Sequence, residues 1–155
     1  MPHSNATHRS TLETLTIRLL PGEDLGEKLA ALVGQQAIEA GIVLTCVGSL
    51  TDVSLRLANQ EQGVNWQGHF EIVSLVGTLS VHGNHLHLSV ADSTGRTIGG
   101  HLLTGNIIYT TAELVIGWLP DLIYTREPQP PFGYRELVVK RRSDGEDHPG
   151  QEAPL

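Results

Sequence analysis

His85-Leu86-His87-Leu88-Ser89-Val90-Ala91-Asp92-Ser93-Thr94-Gly95-Arg96-Thr97-Ile98-Gly99-Gly100-His101 is the stretch whose reading decides the fold. Asp92 to Gly95 fits a type I turn followed by a glycine in the left-handed region, which closes a three-residue β-hairpin with a G1 bulge. That turn sets Asp92 opposite Arg96, and counting back along both strands sets His87 opposite His101. His85 stands two residues along the strand and faces the same way. Leu86, Leu88 and Val90 alternate to the other face, where Ile98 and Leu102 join them with Gly100 between. Ser89, Ala91, Thr97 and Gly99, all small, share the histidine face. A slip of one residue would drive His101 among the leucines, so the apolar pattern supports the register.

Three neutral imidazoles on one face suit a borderline ion such as zinc, with a fourth position left for water or a ligand. The plainer alternative is three partly exposed histidines on a polar strand face. His85, His87 and His101 are therefore the candidate metal ligands.

Outward from the hairpin, most of the chain reads as strand. Thr14 to Leu20 is a first strand. Pro21-Gly22-Glu23-Asp24 turns the chain and offers Asp24 as an N-cap. Leu25, Leu29, Leu32, Val33 and Ile38 recur at helical spacing, which predicts a helix through residue 40 stopped by Gly41. Ile42 to Leu50 reads as a buried strand and Val53 to Ala58 as another, with Arg56 outward. Residues 59–67 read as a polar loop containing Trp66. Phe70 to Ser80 is a strand interrupted by Gly77. Ile107 to Leu119 begins as a strand, its Thr110-Thr111-Ala112-Glu113 step being ambiguous in pattern, and Leu122 to Arg126 and Arg135 to Lys140 complete the set. The expected class is α+β, a mostly antiparallel sheet or barrel with one main helix. Residues 1–13 and 141–155 read as disordered tails around a domain at 14–140.

With 155 residues the chain is one domain by size. A net charge of −7 argues against an extended phosphate-binding surface. The single cysteine, Cys46, lies in an apolar run and reads as a buried small hydrophobe, consistent with a reducing compartment. The first residues lack the apolar core of a secretion signal, and no apolar run approaches the ~20 residues that cross a bilayer. The expected location is cytoplasmic, away from membranes.

Five motifs in order resemble the plants-and-prokaryotes-conserved (PPC) family: PGEDL at 21–25, AGIVLTCVGSL at 40–50, GHFEIVSLVGTLS at 68–80, HLHLSVADSTGRTIGGHL at 85–102 and TTAELVIG at 110–117. The resemblance implies an α+β domain that assembles into homotrimers. In plants it accompanies AT-hooks in nuclear DNA-binding proteins and mediates self-association and protein contacts. Stand-alone prokaryotic members carry three histidines and a metal, zinc by expectation, which here falls on His85, His87 and His101. Two departures stand out. The Arg-Gly-Arg-Pro core of an AT-hook is absent, which counts against direct DNA binding. His69 stands where the plant segment has arginine, so partner contacts attributed to that arginine do not transfer.

Among other candidates, Glu113 is the catalytic one, a general base or a partner fixing a histidine tautomer, and Glu71 is a weaker version of the same; the plainer alternative for each is a salt bridge or hydrogen bond at a subunit contact. His69 and His82 fall outside the hairpin register and read as surface residues. Gly99 and Gly100 admit either a close neighbour or a bulge. Trp66 and Trp118 read as packing or interface anchors. Lys140-Arg141-Arg142 reads as a solvated strand end. The functional expectation is a trimeric metal-binding module for protein partners or a small ligand. The alternatives are a zinc-dependent hydrolase or lyase using an activated water, and a DNA-associated protein.

Overall fold

A computed structural model describes residues 6–143. The chain runs β1 (Glu13–Leu19), α1 (Leu25–Gln35), β2 (Gly41–Arg56), β3 (Gly63–Leu79), β4 (His85–Ala91), β5 (Thr97–Leu102), β6 (Ile107–Trp118), β7 (Leu122–Pro128) and β8 (Arg135–Arg141). Six strands form one antiparallel sheet in the order β1-β6-β2-β3-β4-β5, and β7 pairs with β8 in a separate hairpin. At its end β5 returns to β2, where Leu55 meets Leu102 and Arg56 meets His101. This closure curls the sheet and brings the last residues of β2 to the histidine hairpin.

One sheet face carries the core. Leu50, Leu55, Leu79, Leu88, Leu114 and Ile116 are fully buried, and Leu25, Leu29 and Val33 of α1 join the same cluster. Burying each such side chain contributes about 2 kcal/mol. Asp24 caps α1 through Oδ1, which accepts from the amides of Gly26 (2.8 Å) and Glu27 (3.0 Å). Its Oδ2 accepts from Gly105 (2.6 Å), so one carboxylate ties the helix start to the segment after β5.

Four expectations are corrected. The helix ends at Gln35, not near residue 40. Ala37 takes the left-handed position (φ 50°), and its amide and that of Ile38 donate back to Gly34 and Val33 in a Schellman motif. Ile38 is buried after the helix, so its helical spacing misled the reading. The two strands expected at 42–50 and 53–58 are one, β2, with an irregularity between Leu50 and Asp52. The expected loop at 59–67 is mostly strand, and Trp66 pairs with Val53.

The fourth correction concerns the tails. Residues 1–5 and 144–155 lie outside the described residues. Ser10 and Thr11, however, bind the Asp121 carboxylate at 3.0 and 2.9 Å. Arg142 is not solvated: it pairs with Glu39, donates to the Pro120 carbonyl at 3.1 Å, and its amide donates to the Asp121 carbonyl at 2.8 Å. Lys140 pairs with Glu127 at 3.2 Å.

Candidate metal centre

The histidine hairpin forms in the register read from the sequence: His87 pairs with His101, Ser89 with Gly99 and Ala91 with Thr97. Asp92 holds the turn. Its Oδ1 accepts from the Thr94 amide (2.8 Å), the Thr94 hydroxyl (2.6 Å) and the Arg96 amide (3.1 Å), and Gly95 takes φ 82°.

Two glycines let neighbouring strands close around the histidines. Gly77 of β3 sits at φ 143°, where a Cβ would lie 1.9 Å from the His85 carbonyl oxygen. At Gly100 of β5 a Cβ would lie 2.7 Å from the carbonyl oxygen of Arg56. The neighbour that Gly100 admits is thus backbone, and no bulge displaces the hairpin register. Asn106, unremarkable in sequence, is fully buried and accepts from the Ser54 amide (2.9 Å) while donating to the carbonyls of Ser54 (3.1 Å) and Leu103 (2.6 Å). It fixes the segment after β5 against β2.

The three imidazoles converge. One ring nitrogen from each of His85, His87 and His101 lies within 4.8 Å of the others. Nε2 of His85 and Nε2 of His87 are 3.3 Å apart. Tetrahedral coordination at Zn–N distances of about 2.0–2.1 Å requires ligand separations of about 3.3 Å, so this pair already has the needed spacing. Nδ1 of His101 is buried with no hydrogen-bond partner among the described residues, a costly state that a ligand at that atom would relieve. The donor set therefore fits a divalent ion of zinc type. Burial pushes His101 down to about 4, with Arg56 the next contributor. His85 is lowered too, first by burial and then by the charge of Arg126. Both shifts favour the neutral ring, the form a metal requires.

The β7–β8 hairpin supplies residues that sequence reasoning missed. Arg126 places Nη1 3.3 Å from Nδ1 of His85 and donates through Nη2 to the Thr78 hydroxyl. Glu136 and Arg56 complete a cleft of about 470 Å³ beside His85 and His101. Arg56 reads outward from its strand in sequence, but its meeting with His101 depends on the β2–β5 closure. Nothing local marks Arg126 or Glu136.

Glu113 is not brought to the histidines. It is exposed on β6, aligned with Arg18 of β1 and Val47 of β2. Val47 precedes Arg56 by nine residues, about 30 Å of strand. Glu71 pairs with Ala91, at the turn end of β4. His69 packs against Tyr109 with the rings tilted by 51° (4.5 Å between centroids), and His82 lies 3.5 Å from Glu39. Trp66 and Trp118 pack against the main core. Cys46 is buried as expected, its thiol pushed up to about 12 by burial.

The Plants and Prokaryotes Conserved (PCC) domain matches residues 6–120. The chain belongs to this family. It is 45% identical over 131 residues to the bifunctional protein GlmU of two Synechococcus strains, one of them at 130 residues, covering 84% of this chain and 21% of those proteins. The chain thus spans about a fifth of the length of these curated relatives. Among solved structures, a hypothetical protein from Salmonella superposes with a TM-score of 0.86 at 45% identity, over 88% of this chain and 99% of that one. A metal-containing protein from Archaeoglobus fulgidus shares the fold with a TM-score of 0.73 at 20% identity, over 86% of this chain and 99% of that one. No helix among the described residues is long and apolar enough to cross a membrane.

Proposed function

We propose that this PCC domain is a metal-binding interaction module that holds one divalent cation, zinc by its donor chemistry, on His85, His87 and His101. The observation that carries the reading is the convergence of three ring nitrogens within 4.8 Å on a hairpin whose turn, register and flanking glycines all serve that arrangement. The metal-containing Archaeoglobus relative supports it. When bound, the ion would supply Lewis acidity at a fourth coordination position.

Assembly into a trimer, as the family resemblance implies, is part of the proposal. Leu44, Val47, Val73 and Val76 are exposed on β2 and β3, on the face away from the core, and Val76 pairs directly with His87. An apolar stripe of this kind is a protein-contact surface.

A hydrolase or lyase is the second reading. The observation that favours it is Glu136, a carboxylate lining the cleft beside His85 and His101 and so better placed for acid–base work than Glu113. Direct DNA binding draws no support from the basic run, since Lys140 and Arg142 are both engaged in ion pairs.

Elemental mass spectrometry with native mass measurement tests the proposal. About one zinc per chain is expected in protein purified without chelator, and none in the His85→Ala, His87→Ala, His101→Ala variant. Absence of metal from the wild type, with no uptake on titration, would overturn it. Loss of the trimer together with the metal would assign the ion a structural role.

A further inference from the structure

The cleft beside the histidines is cationic in an acidic protein. The chain carries −7 overall, yet Arg56, His85, His101, Arg126, Tyr134 and Glu136 line one space of about 470 Å³. Neither Arg56 nor Arg126 forms an ion pair among the described residues. Arg56 is held opposite His101 by strand pairing. Arg126 is held from two sides: its side chain reaches Thr78 and His85, and its carbonyl accepts from Nε (3.2 Å) and Nη2 (2.8 Å) of Arg135. Two guanidiniums lining a cleft beside the histidine cluster are not accounted for by metal ligation, because arginine does not ligate and would repel a cation.

The contact between Arg126 and Nδ1 of His85 adds a second reason. A guanidinium can only donate, so in this arrangement Nδ1 accepts and the ring proton belongs on Nε2. Ligation through Nε2 moves that proton to Nδ1 and sets donor against donor. Arg126 must then give its hydrogen bond to something else in the cleft.

We propose, building on the metal reading above, that this cleft binds a small organic acid, with a carboxylate clamped by Arg56 and Arg126 and a second oxygen of the ligand directed to the metal on the histidines. Planar guanidiniums match a carboxylate with paired, charge-assisted hydrogen bonds. With a dication on neutral imidazoles, Glu136 offsets only part of the positive charge, which suits a dianionic acid. The Tyr134 ring gives the cleft an organic wall that a carbon skeleton uses and inorganic phosphate does not. The volume lies in the range of small-molecule sites.

Cobalt(II)-loaded protein tests this, because its visible absorption reports the ligand field directly. The probes are malonate, its neutral isostere malonamide, and inorganic phosphate. Malonate is expected to shift the cobalt bands saturably, ahead of phosphate, with malonamide inert. Arg56→Gln and Arg126→Gln are expected to keep cobalt stoichiometry while weakening malonate about tenfold each, the effect of losing a charge-assisted hydrogen bond. Equal response to malonamide, tighter binding of phosphate, or wild-type malonate affinity in both variants would overturn the proposal. Cobalt uptake with no malonate response defeats the organic acid alone, whereas no cobalt uptake defeats the metal reading and this proposal together.

Discussion

A Cβ on Gly77 would stand 1.9 Å from the His85 carbonyl oxygen and 2.9 Å from the Leu86 Cα. Both obstacles are backbone, so no rotamer change relieves them. Gly77→Ala is expected to cost about 3 kcal/mol through forced separation of β3 and β4 and the glycine-only φ. Chemical denaturation measures this cost, and metal content should fall alongside, since His85 is the residue displaced. The sequence marks Gly77 only as an interruption in a strand. Its task depends on the alignment of β3 with β4, which local pattern does not encode. The turn at Asp92–Gly95 is the opposite case. Its chemistry is contained within five residues, so the register and the three histidines follow from the sequence alone. Arg126 and Glu136 arrive from a hairpin more than twenty residues downstream of His101 and carry no periodicity that points to it.

Among the elements, α1 has the clearest error of boundary and a testable consequence. Ala37 occupies the left-handed C′ position (φ 50°), where an L side chain costs about 1 kcal/mol and glycine costs less. Ala37→Gly is expected to raise stability by a few tenths to about 1 kcal/mol, read as a higher midpoint in urea. An unchanged or lower midpoint would mean that the strain is relieved elsewhere. Strand identity was legible wherever one face is buried, as in β4, whose residues alternate between core and surface. It failed at Gly63–Gln67, where almost every residue of β3 is exposed. There, pairing with the end of β2 makes the strand, without any hydrophobic alternation to announce it.

For the whole molecule, the exposed valines lead to a test of assembly. Val47 and Val73 are each more than half exposed, at 57% and 56%. Val47→Asp combined with Val73→Asp is expected to convert a trimer to monomers in light scattering, since a buried charge in each contact is costly. Metal content should persist, because all three ligands come from one hairpin. A wild type that is already monomeric would remove the assembly proposal and leave the metal proposal standing. Composition gave no view of this surface, because it consists of single apolar residues on strands whose other face is core.

One residue, Asp121, receives both ends of the described chain: its carboxylate takes Ser10 and Thr11, and its carbonyl takes the amide of Arg142. Entry and exit therefore share a corner. A short linker from residue 143 back to residue 10, with new ends opened at the exposed turn near Glu61, is expected to leave the melting temperature and metal content close to those of the parent. Such a domain behaves like a bead with its hole at one pole. With both described ends at one corner, it is suited to being threaded into or hung from a longer polypeptide, and on the metal proposal above such a host would gain a cation site.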